Sequence, residues 1–177
     1  GNVSWGAGAS EITHVMATQT IWQRRPKTLQ ITVDGTLPFG VGAKDIILAI
    51  IAKIGHGGAT GHAIEYAGST IRALSVEERM TVCNMSIEGG GRAGSVAPDD
   101  KVYEYLEGRT YVPKGPDWDA ALKFWKTLPS DKGATFDREV HLNAEDIAPM
   151  VTWGTNPEHG APITDRVPSP DDAETPE

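Results

Sequence analysis

The sequence predicts a layered α/β domain, because apolar residues recur at helical spacing in some segments and alternate with polar ones in others, and the two kinds of segment follow one another repeatedly. Residues 9–23 carry Ile12, Val15, Met16, Ala17 and Ile21 close to an i, i+3, i+4 pattern that stops at Pro26, a helix entered through Ser10. TLQITVDG alternates Leu29, Ile31 and Val33 with polar residues and ends at an Asp-Gly turn, which predicts a strand. AKDIILAIIAKIG is a strongly apolar helix with Gly55 as its stop. GHGGATGHAIEYAG is a glycine-rich loop leading into a short strand at residues 63–66. Ser75 and Glu78 form a capping box for a helix running through Met80, Cys83 and Ile87 to the glycines at 89–91. AGSVAP follows as a short strand, then DDKVYEYLEG and DWDAALKFWKTL as amphipathic helices with Val102, Tyr103 and Leu106 on the first and Trp118, Leu122 and Trp125 on the second. TFDREVHLN alternates again as a strand, AEDIAPM is a helical turn, and VTWGT is the last strand-like piece. From Asn156 the chain is acidic and proline-rich with little to bury, so residues 1–155 are expected to form the lobe and residues 156–177 a tail or linker.

Composition narrows the function classes. The 177 residues are 39% hydrophobic and 23% charged, enough for one core. A formal charge of -8 argues against nucleic acid as a partner, since phosphate backbones are met by clustered Lys and Arg. One cysteine permits no internal disulfide, which favours a cytoplasmic setting. The apolar run at residues 46–51 is too short to span a bilayer, and no basic-then-apolar leader pattern is read, so no membrane partner is expected.

The stretch TVCNMSIEGGGRAG holds most of the residues with chemical potential. On a continuous helix Asn84 and Glu88 project from one face, and Cys83 lies about 100° round from Asn84, beside Met80 and Ile87. A lone cysteine on such a stripe reads as a small buried hydrophobe rather than a reactive thiol or ligand. Asn84 and Glu88 read either as a solvated helix face or as a site, and the glycines after them allow a ligand or another backbone to come close. GHGGATGH fits neither phosphate-loop pattern, so tight helix-to-strand packing is its expected use. His14, His56, His62, His141 and His159 lack zinc-site spacing, and no metal held by this chain is expected. The tryptophans read as core or lobe contacts.

GAGASEITHVMATQT, ITVDGTLPFGVGAKDIILAIIAKIGHGGATGHAIEYAG, RMTVCNMSIEGGGRAGSVAPDD and VTWGTNP together resemble the aconitase family, and VTWGTNP resembles its isopropylmalate dehydratase branch in particular, on the large-subunit side. The likeness runs from about Gly6 to about Val167. It implies an aconitase-type α/β/α domain with a mixed sheet. It also implies a hydro-lyase that isomerises 2-isopropylmalate to 3-isopropylmalate by dehydration and rehydration in leucine biosynthesis, on a small 2-hydroxy acid and with a separate small subunit as partner. In that family a 4Fe-4S cluster leaves one iron open to substrate, and the resemblance places Asn84 and Glu88 beside it, Asn84 as a hydrogen-bonding group and Glu88 orienting or protonating water, with Cys83 not a ligand.

The departures bear on what the chain does alone. The family's Asp-Ser-His segment and its three cluster-binding cysteines have no counterpart here, and GNVSW differs from the small and apolar residues expected before the Gly-x-Gly. One thiol cannot anchor a cluster that needs three. The chain is therefore expected to be a central portion of a large subunit, with no cluster of its own and no turnover. The rival from another class is an autonomous module that binds a small carboxylate or a partner subunit without chemistry; a thiol enzyme using Cys83 is a third reading and requires fast alkylation of that residue.

Overall fold

The computed structural model describes residues 2–5, 9–55, 57–153, 159–166 and 169. In chain order the elements are β1 (Asn2–Trp5), α1 (Ala9–Thr18), β2 (Lys27–Asp34), α2 (Ala43–Ile54), β3 (His62–Ala67), α3 (Ser69–Ala73), α4 (Val76–Asn84), β4 (Ala93–Val96), α5 (Asp100–Leu106), α6 (Pro116–Trp125), β5 (Arg138–Asn143), β6 (Met150–Thr152) and β7 (Gly160–Pro162). Short 3-10 turns occupy Met85–Ile87 and Ala144–Asp146.

The main sheet has the order β1-β4-β3-β2-β5, with β4, β3, β2 and β5 parallel and β1 antiparallel against β4. This is the mixed sheet and layered α/β architecture expected. Leu29, Ile31 and Val33 of β2 have no solvent exposure, and with Ile64 and Tyr66 of β3 they meet Ile46, Ile47, Ile50 and Ile51 of α2 and Val82 and Cys83 of α4 in one apolar cluster. The chain steps from β2 to β3 to β4 in one direction, and α2 and α4 cover the same face. It then returns past β3 and β2 to reach β5, so the right-handed crossover rule sends the connection over the opposite face. There Ser130 hydrogen-bonds Glu65, which also accepts from Gln30 Nε2 at 3.0 Å.

Four local readings differ from the sequence expectation. Helix α1 stops at Thr18 rather than running to residue 23: Gln19 takes a left-handed φ of 58°, and the Thr18 hydroxyl turns to the His14 carbonyl and to Thr20. Strand β1 was not expected. The helix opened by Ser75 is α-helical only to Asn84, and Met80 and Ile87 lie 43% and 49% exposed while Arg79, Val82 and Cys83 face inward. Within the stretch read as tail, Gly160–Pro162 pairs antiparallel with Met150–Thr152 and lies against α2. An aspartate of α2, Asp45, fastens this hairpin by accepting the Met150 N–H at 2.7 Å.

Arg79 is the largest wholly buried side chain. Its guanidinium meets Asp99 through Nη1 and Nη2, both at 2.7 Å, and Nη2 also reaches the Arg72 carbonyl at 2.9 Å. Asp99 in turn caps α5, so one ion pair joins the last turn of α3, the first half of α4 and the start of α5. Burial pushes the Asp99 carboxyl up, but the Arg79 hydrogen bonds and charge, the Val102 N–H and Lys101 outweigh it and hold the group below its ordinary value. A carboxyl lowered in the folded state adds stability that is complete above its unfolded value and is lost as pH falls through the folded one. Asp99→Asn is therefore expected to cost about 3 kcal/mol at neutral pH, by stranding a buried cation. In urea melts it should also flatten the loss of stability that the parent chain shows on acidification below about pH 4.

Candidate functional site

The capping box expected at residues 75 and 78 starts α4: Glu78 N donates to the Ser75 hydroxyl at 3.3 Å, and Ser75 N donates to the Glu78 carboxylate at 2.7 Å. After Asn84 the coil tightens into the 3-10 turn and then closes in a Schellman motif. Gly91 N donates to the Ser86 carbonyl and Gly90 N to the Ile87 carbonyl, each at 2.9 Å. Gly90 has a φ of +83°, and a Cβ there would come within 2.9 Å of Gly57 Cα. Ala59 N donates to Gly89 O at 3.0 Å, so the glycine-rich loop packs directly under this turn. His56 of that loop lies outside the described residues.

This geometry separates the two site residues anticipated from sequence. Asn84 is exposed and Glu88 is half-buried, and the change of helix type means they do not share a continuous α-helical face. Glu88 Oε2 is shut off from solvent and has no hydrogen-bond partner among the described residues. A carboxylate in the last helical turn also faces the negative end of the helix dipole, at a cost of roughly 0.3–1 kcal/mol. Two local rules are broken at this residue.

Two polar groups that sequence reasoning did not single out lie beneath Glu88. The Tyr66 hydroxyl and Ser86 Oγ are 2.9 Å apart, both buried. Burial holds the phenol well above its ordinary value, opposed by the Ser86 hydrogen bond and reinforced by the nearby Cys83 and Glu88. Tyr66 sits in an alternating strand pattern and reads as core; Ser86 carries one weak signal, a hydroxyl between Asn84 and Glu88.

Cys83 is buried, and its thiol is pushed up to about 12, burial outweighing the opposing charge of Arg79. Among the described residues no three His, Cys, Asp or Glu side chains are placed to hold a metal ion. One thiol does not supply the three that such a cluster needs, so the residues of this chain do not fit an iron-sulfur cluster as its ligands. A concavity of about 430 Å³ opens on the other face of the sheet, lined by Gln30, Glu65, Arg72, Val96, Asp131 and Phe136 among others.

All 177 residues match the aconitase family (aconitate hydratase), and the chain belongs to that family. It is 56% identical over 172 residues to the 3-isopropylmalate dehydratase large subunit of Roseiflexus castenholzii (strain DSM 13941 / HLO8), an alignment covering 97% of this chain and 36% of that protein. The chain thus spans little more than a third of the relative it matches.

The state of Cys83 yields a direct expectation. Iodoacetamide at neutral pH should modify the native chain slowly and the urea-unfolded chain at the rate of an ordinary thiol, as followed by mass spectrometry. Rapid alkylation of the native chain would revive the thiol-enzyme reading.

Proposed function

We propose that the chain forms one wall of the active site of a hydro-lyase that isomerises 2-isopropylmalate to 3-isopropylmalate by dehydration and rehydration, and that by itself it does not turn over substrate. The observation that carries this reading is the buried, unpartnered oxygen of Glu88 at a glycine-closed helix end. The identity to a 3-isopropylmalate dehydratase large subunit supports the substrate class.

Within this reading, Glu88 orients or protonates the water that leaves and returns. Asn84, exposed at the end of α4, offers its amide to the substrate as donor and acceptor. Both act on a small 2-hydroxy acid. The 4Fe-4S cluster of the family is held by thiolates other than those of this chain, so no part of its role runs through the cluster. A separate small subunit completes the site, and the setting is cytoplasmic. No described helix is long and apolar enough to cross a membrane, and the charge of -8 leaves nucleic acid an improbable partner.

The second reading, a module that binds a small carboxylate or a partner subunit without chemistry, draws on the 430 Å³ concavity with Arg72 on its lining. Titrating the labelled chain with isopropylmalate distinguishes the two by NMR. Shifts at the amides of Asn84 and Glu88 favour the hydro-lyase wall; shifts confined to Arg72 and Asp131 favour the module.

Two further outcomes are expected. In the complete large subunit assembled with its small subunit, Glu88→Gln lowers kcat by roughly 10²–10⁴-fold with little change in KM. Anaerobic treatment of this chain with ferrous iron and sulfide leaves it colourless; a brown, iron-loaded sample that interconverts the isopropylmalates would overturn the reading.

A further inference from the structure

We propose that Tyr66 and Ser86 are positioning residues for Glu88: their buried hydrogen bond holds the 3-10 turn that aims the Glu88 carboxylate inward. This rests on the reading of Glu88 as the site carboxylate.

The argument starts from helix geometry. Had α4 continued as an α-helix, Glu88 would lie about 40° round from Asn84 on the same exposed side. Three residues at 3-10 spacing carry it to about 100°, off the exposed side that Asn84 occupies. A 3-10 turn is common at a helix C-terminus, and contacts outside the helix decide which way this one faces.

Three contacts converge on its central residue. Ser86 Oγ is 2.9 Å from the Tyr66 hydroxyl, and Tyr66 is fixed in β3, paired in register with Ile31 and Val96. Gly94 of β4 leaves the room that Ser86 occupies, for a Cβ at Gly94 would fall 2.0 Å from Ser86 Oγ and 2.9 Å from the Cys83 carbonyl. The Ser86 carbonyl takes the Gly91 N–H at 2.9 Å. Ser86 is 3% exposed and Tyr66 1%, so water does not compete for the bond. At neutral pH the phenol remains a neutral hydroxyl able to donate. The side chain of Ser86 is therefore gripped by two strands of the sheet, and the direction of Glu88 two residues later follows from that grip.

The test uses the complete large subunit with its small subunit. Tyr66→Phe and Ser86→Ala are each expected to lower kcat roughly 10- to 100-fold with KM unchanged. The double variant should be no slower than the worse single one, because both remove the same bond. A stability loss alone would lower the amount of active enzyme without this pattern, so active-site concentration is measured alongside, with Asp99→Asn as a destabilised control. If Glu88→Gln abolishes turnover while both hydroxyl deletions leave kcat intact, the positioning role is wrong and the role of Glu88 stands. If Glu88→Gln is itself fully active, the reading beneath the proposal fails. Should Ser86→Ala not fold, the isosteric Tyr66→Phe decides the matter in the 177-residue chain by NMR. Displaced Glu88 resonances with unmoved β2 resonances support the proposal, and unmoved Glu88 resonances refute it.

Discussion

Strand β2 is the constraint on which the remainder of the molecule depends. It lies between β3 and β5, and Leu29, Ile31 and Val33 are withdrawn from water completely against the isoleucines of α2. Side chains alternate with a period of two, so a slip of one residue would turn Thr28, Gln30 and Thr32 into the core and all three apolar residues out of it. At about 25 cal/mol per Å² of apolar surface, that penalty exceeds any hydrogen bond in the loops. The register of β3 follows from β2, that of β4 from β3, and the ground under α4 from all three.

On that base α4 is fixed at both ends by polar contacts of opposite kind. Toward its start and middle, Arg79 is drawn to Asp99, a charged pair whose partners are costly to separate. At its far end Ser86 is held by a neutral hydroxyl, Tyr66. Between them Val82 and Cys83 supply ordinary apolar packing. The carboxylate of Glu88 emerges just beyond the second fixture. A half-buried carboxylate is thereby placed by a secondary-structure irregularity, where a regular helix would have left it in solvent.

What was legible in the sequence follows the strength of the local pattern. β2 and α2 are unambiguous because alternation and helical spacing cannot be confused over eight and twelve residues. The capping box at Ser75 is a chemical signature and appears where it was read. α1 was overextended because Ile21 continues the apolar spacing past a break made by the backbone of Gln19. β1 has four residues and takes its shape from β4, a tertiary effect with no local trace. Asn84 and Glu88 were singled out by resemblance and residue type, but their divergence was hidden, since NMSIE is compatible with either helix type. Arg79 was invisible for a related reason: an arginine in a helix normally signals solvent, and its partner lies twenty residues away.

The antiparallel strand β1 has a consequence for the sheet margin. Without it, the outermost strand would be β4, whose Ala-Gly-Ser-Val carries no charge and no proline to discourage pairing with a neighbouring molecule. β1 satisfies that side of β4 and passes the sheet margin on to its own outer side, where Asn-Val-Ser-Trp is equally without charge or proline.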